Sequence, residues 1–125
     1  MADQKISTII VSKPGPLPDG LRVLLSTLPR IHLVGVVDDL AEVVNLLKTK
    51  RQALILLDNS LEQDDEGKAL HAIKSALPNA VCMVIVGDVE HRNIALKAGA
   101  DWAELTGFPA SALYSEIEKL LTARF

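Results

Sequence analysis

The sequence predicts an α/β domain with a doubly wound, five-stranded parallel sheet and helices on both faces. Three observations predict it. Five times along the chain a short β-branched apolar run is followed by a longer stretch of helical spacing, and right-handed crossovers turn such alternation into a parallel sheet covered on both sides. One of the runs, Ala53 to Leu57, is apolar without interruption, as a central strand buried on both faces requires. At 125 residues, with 49% apolar and 23% charged residues, the chain has the size and composition of one folded domain spanning residues 1–125.

The elements follow in order. Ile6 to Val11 reads as the first strand. From Pro18 onward, Leu21, Leu24, Leu25 and Leu28 recur at helical spacing until Pro29 stops the helix. Ile31 to Val37 is a second strand, and Asp39-Leu40-Ala41-Glu42 after it has the form of a capping box. Val43, Val44 and Leu47 supply the buried stripe of that second helix. The third strand, Ala53 to Leu57, leads to a polar loop and then to a helix carrying Ala69, Leu70, Ile73 and Leu77, stopped at Pro78-Asn79. Val81 to Val86 is the fourth strand, and Val89 to Ala98 a short helix with Gly99 suited to the left-handed position beyond its end. Asp101 to Leu105 is less apolar, which suits an edge strand. Ala110 to Ala123 closes the chain as an amphipathic helix with Leu113, Ile117, Leu120 and Leu121 on one face.

Composition excludes several function classes. A net charge of −3 with scattered Lys and Arg offers no general basis for nucleic-acid or membrane binding. Lys48, Lys50 and Arg51 cluster where a helix ends, and cations there complement its dipole. No apolar run approaches the roughly 18 residues needed to span a bilayer, and the polar N-terminus has no secretory core. Cys82 stands alone in a buried strand, so no disulfide and no Cys-rich metal site is expected. A reducing, cytoplasmic compartment fits best. His32, His71 and His91 match no ligand spacing. The loop Ser12-Lys13-Pro14-Gly15-Pro16-Leu17-Pro18 lacks the glycine spacing and Lys-Ser/Thr ending of a phosphate-binding loop, and its prolines remove backbone donors.

In open parallel sheets, function gathers at the carboxyl ends of the strands. That directs attention to Ser12-Lys13, Asp38, Asp58, Val86-Gly87 and Thr106. Asp39 reads as a helix cap. Asp64, Asp65 and Glu66 read as a solvated loop entering the third helix.

Read together, Leu56-Leu57-Asp58-Asn59-Ser60-Leu61, Lys97-Ala98-Gly99-Ala100-Asp101 and Gly20-Leu21-Arg22-Val23-Leu24-Leu25 resemble the CheY-like receiver domains of two-component response regulators. Val34 to Val37 and Phe108-Pro109-Ala110 add to the likeness, which runs over essentially the whole chain. The resemblance implies a flavodoxin-like strand order of 2-1-3-4-5. It also implies a site in which an acidic pair after the first strand holds Mg²⁺ and an Asp ending the third strand accepts a phosphoryl group. A Thr or Ser ending the fourth strand and a Lys ending the fifth then bind the phosphoryl oxygens. Mg²⁺ is required there because carboxylate and phosphate repel each other.

Placed on this sequence, Asp58 falls on the phospho-acceptor and Ser60 where a backbone carbonyl would join the metal. Ser12 and Lys13 replace the acidic pair, Val86 or Gly87 falls on the hydroxyl position, and Thr106 replaces the Lys. The usual switch aromatic becomes Ala103, with Trp102 beside it facing the other way. The acidic stretch 62–67 lacks the common Pro-Gly. Lys13 cannot ligate Mg²⁺ as an ammonium, and an ion pair from Lys13 to Asp58 is the expected substitute for the metal. The expectation is a degenerate receiver, a pseudo-receiver and not an enzyme, in which Mg²⁺ binding is doubtful. Its implied partners are a sensor histidine kinase or phosphotransfer protein, an output domain, or a second copy through the last helix. Alternatives are an interaction or dimerisation module independent of phosphorylation and a small flavodoxin-like ligand-binding domain. The last is disfavoured, because 3% aromatic residues leave little to stack on a flavin.

Overall fold

The computed structural model describes residues 5–50, 52–58, 68–107 and 109–125. Strand β1 (Ile6–Val11), helix α1 (Pro16–Leu25), β2 (Ile31–Val37), α2 (Leu40–Leu47), β3 (Ala53–Asp58), α3 (Lys68–Ala76), β4 (Val81–Val86), α4 (Val89–Lys97), β5 (Trp102–Leu105) and α5 (Ala110–Arg124) alternate without exception. All pairings are parallel and the sheet order is β2-β1-β3-β4-β5. Ordering and element type are therefore those expected from the sequence.

Side-chain alternation along the strands divides the interior into two layers. Ile9, Val11, Ile55, Leu57, Cys82, Val84, Val86 and Ala103 pack on one face with Val43 and Leu47 of α2, Leu70 and Ile73 of α3 and Ala95 of α4. Ile6, Ile10, Leu54, Leu56, Met83 and Ile85 pack on the other with Leu21 and Leu25 of α1 and Leu113, Ile117 and Leu121 of α5. Burying each of these large side chains stabilises the fold by about 1.5–3 kcal/mol.

Helix boundaries moved where local chemistry allowed. α1 begins at Pro16, two residues before the expected Pro18, because prolines in a first turn give up only donors that have no partner there. Its C-terminal end tightens into i→i+3 bonds (Thr27 N–H to Leu24 C=O and Leu28 N–H to Leu25 C=O) before Pro29. The capping box on α2 is half made: Asp39 Oδ1 accepts the Ala41 N–H at 2.9 Å, and Glu42 contributes its place in the acidic first turn. Gly99 ends α4 at φ 110, with its N–H on Leu96 C=O and the Ala100 N–H on Ala95 C=O, the paired bonds of a Schellman stop. No described helix is long and apolar enough to cross a membrane.

Candidate functional site

β1, β3, β4 and β5 present their last residues at one edge of the sheet. Ser12 follows β1 directly, with its backbone N–H on the Val37 carbonyl at 2.8 Å, so the strand geometry persists one residue past Val11. Ser12 is 2% exposed, and its hydroxyl lies 3.0 Å from Asp58 Oδ2 and 3.0 Å from the Lys13 carbonyl. The single hydroxyl proton has two acceptors, of which the carboxylate is the stronger. Asp58 is the last residue of β3, half-buried, with Ile85 of β4 as its register partner.

The expected ion pair between Lys13 and Asp58 does not form among the described residues. Lys13, one residue past the buried Ser12, is exposed, so its ammonium keeps its hydration. Among the described residues the Ser12 hydroxyl reaches Asp58, a role not foreseen for a residue read only as standing in the acidic pair's place.

The remaining positions are at the same edge but offer different chemistry. Val86 ends β4 with no exposure and packs among Val84 and Ala103, so it is a core side chain. Gly87 beyond it is exposed. Neither carries a hydroxyl. Thr106 follows β5 with its N–H on the Val86 carbonyl at 2.8 Å and is exposed. Asp38 is exposed beyond β2. Ser60 and the acidic stretch 62–67 lie outside the described residues. Ala103 and Trp102 belong to opposite layers, as expected. Trp102 is half-buried, donates its indole N–H to Glu104 Oε1 at 2.8 Å and carries the Arg92 guanidinium 4.7 Å from its ring centroid.

The donor set among the described residues does not fit a divalent cation. No group of three His, Cys, Asp or Glu side chains among the described residues is placed to hold a metal. Mg²⁺ takes oxygens and favours carboxylates. Here the Asp58 carboxylate already accepts a hydrogen bond from the Ser12 hydroxyl, and Ser12 and Lys13 bring no second carboxylate to it.

Two further features went unread in the sequence. At the opposite edge of the sheet, Asp101 joins three elements. Its Oδ2 accepts Lys74 Nζ of α3 at 2.6 Å and the Cys82 N–H of β4 at 2.8 Å, and its Oδ1 meets Arg124 of α5 at 3.1 Å. Lys74 also donates to the Ala80 carbonyl. Nothing in the spacing of residues 74, 101 and 124 signals this convergence. Between α1 and α5 a groove of about 240 Å³ is lined by Leu17, Gly20, Leu24, Ile85, Thr106 and Leu113, among others.

No family model and no curated protein matches the sequence. Solved structures do match. The chain superposes on the RcsB response regulator of Salmonella typhimurium with a TM-score of 0.81 at 17% identity, covering 97% of this chain and 61% of that longer one. On the signal receiver domain of the response regulator NarL from Mycobacterium tuberculosis the TM-score is 0.78 at 21% identity, covering 97% and 99% of the two chains. On the response regulatory domain of MrkE from Klebsiella pneumoniae it is 0.78 at 24% identity, covering 94% and 97%. Five parallel strands in the order 2-1-3-4-5 with five intervening or closing helices thus give this chain the CheY-like, flavodoxin-type fold of those receiver domains.

Proposed function

We propose that residues 1–125 form a receiver-type signalling domain of a two-component system, with Asp58 at the phospho-acceptor position and a weakened phosphoryl-transfer site. The observation that carries this reading is the placement of Asp58 at the carboxyl end of the central strand, in contact with the residue that follows β1. In a phosphorylation step a carboxylate oxygen of Asp58 attacks the donor phosphorus, and the donor's leaving group departs with the bonding electrons. Metal-assisted neutralisation of the developing charge is the part for which this chain is poorly equipped. The domain then acts by protein–protein contact with a kinase, a phosphotransfer protein or an output domain, and not by turnover of a metabolite.

A second reading, an interaction module independent of phosphorylation, is favoured by one specific feature. Val86 and Gly87 provide no hydroxyl, and Thr106 no cation, to hold phosphoryl oxygens. Incubation with a small phosphodonor and Mg²⁺, read by intact mass, separates the two. Little or no adduct on the native chain, with a gain on Lys13→Asp, supports the weakened site. An abundant adduct that Asp58→Ala abolishes restores a conventional receiver. Absence of an adduct on every variant leaves the phosphorylation-independent module.

A further inference from the structure

We infer that Ser12 holds Asp58 as a hydrogen-bond donor in the place a divalent cation takes beside the acceptor of a receiver, so that the setting of Asp58 is independent of Mg²⁺. This rests on the reading of Asp58 as the acceptor position. Ser12 is not an adjustable surface hydroxyl. The residue is buried and its backbone N–H is pinned to the Val37 carbonyl of β2, which leaves χ1 as the main freedom of the oxygen. The oxygen sits 3.0 Å from Asp58 Oδ2. A carboxylate lone pair that accepts this proton is occupied without any added ion, and the buried hydroxyl is satisfied by the same bond.

A hydroxyl and a cation make different demands. Mg²⁺ requires near-octahedral oxygen ligands at about 2.0–2.1 Å and is normally anchored by one or two carboxylates. Ser12 contributes no charge, and Lys13, tethered to it, adds a positive one. The hydroxyl asks only for one lone pair on Asp58 and makes a charge-assisted bond with it. Ser12 is thus a positioning residue. It fixes the acceptor carboxylate through a bond internal to the fold, where a metal-dependent site would leave that carboxylate responsive to ion concentration.

The test is a Mg²⁺ titration of ¹⁵N-labelled protein followed by amide resonances, with an equal ionic strength of KCl as reference. In the native chain the amides of Ser12, Lys13 and Asp58 are expected to move no more with millimolar Mg²⁺ than with KCl. Ser12→Ala should shift the amides at 12 and 58 without Mg²⁺, leave those of α5 in place, and stay unresponsive to the ion. Ser12→Asp combined with Lys13→Asp should gain a saturable Mg²⁺ response at residue 58 that Asp58→Asn removes. Saturable shifts centred on Asp58 in the native chain overturn the inference while leaving the acceptor reading intact. A folded acidic double variant without any Mg²⁺ response overturns the acceptor reading itself. Should that variant not fold, Lys13→Asp alone, at an exposed position, supplies the same readout.

Discussion

At the residue scale, what a side chain can do here is decided by the layer it enters. Cys82 lies in the interior of β4 with no exposure, and burial pushes its thiol up to about 12, against a smaller opposing effect of Lys74. The folded form therefore keeps a proton that the unfolded chain releases above its ordinary value of 9.0. The sign follows: this contribution to stability is complete below pH 9 and is lost as pH rises toward about 12. Iodoacetamide at neutral pH should leave Cys82 unmodified in the folded protein and label it only when denaturant is added. Rapid labelling of the native protein would show that the strand opens far more often than its burial implies. Asp88 illustrates the opposite sign. The backbone N–H and then the side chain of His91 hold its carboxyl below the ordinary 3.8. The cap on α4 is thus complete above pH 3.8 and weakens as pH falls through the lower folded value. Protection factors of the amides at the start of α4, taken relative to the slower intrinsic exchange in acid, should fall as pH drops below 3.8, and Asp88→Asn should flatten that dependence.

At the element scale, two glycines make opposite predictions from similar surroundings. A Cβ on either Gly20 or Gly99 would meet nothing within 4 Å, so sterics with neighbours decide neither case. Gly99 has φ 110, a conformation that costs an L residue about 1–2 kcal/mol. Gly99→Ala should lower stability by that amount in urea denaturation, read through Trp102 fluorescence. Gly20 lies inside α1 with ordinary backbone, where glycine is worse than alanine by about 0.5–1 kcal/mol. Gly20→Ala should raise the urea midpoint accordingly, with an unchanged slope.

At the scale of the whole molecule, Asp101 ties α3, β4 and α5 at the edge of the sheet opposite Asp58. Its side chain is 8% exposed, whereas Lys74 and Arg124 retain 26% and 50%. The ion pair with Arg124 therefore contributes little, and the bond to the Cys82 N–H matters more. Asp101→Ala leaves that buried donor without its acceptor, a loss of about 1–3 kcal/mol. Arg124→Gln should cost well under half as much in the same thermal or urea unfolding measurement. Equal losses from the two variants would mean that the carboxylate acts through its charge and not through the strand donor.

The order and type of the elements were legible in the sequence, because apolar period and turn residues are local properties. Ala53 to Leu57 had to be central, since an unbroken apolar run needs cover on both faces. Gly99 had to end α4, because few other residues tolerate its φ. Asp58 was locatable for the same reason, as the first charged residue after that run. That Ser12 and not Lys13 reaches it came from the tertiary structure. Ser12 and Lys13 are adjacent in sequence, and formal charge favoured the lysine. The bond from the Ser12 N–H to Val37 extends β1 by one residue, which aims the hydroxyl at Asp58 and leaves the ammonium in water. Asp101 shows the same limit, for its partners are 27, 19 and 23 positions away along the chain. A contact set by the crossing of strands and helices leaves no trace in local spacing.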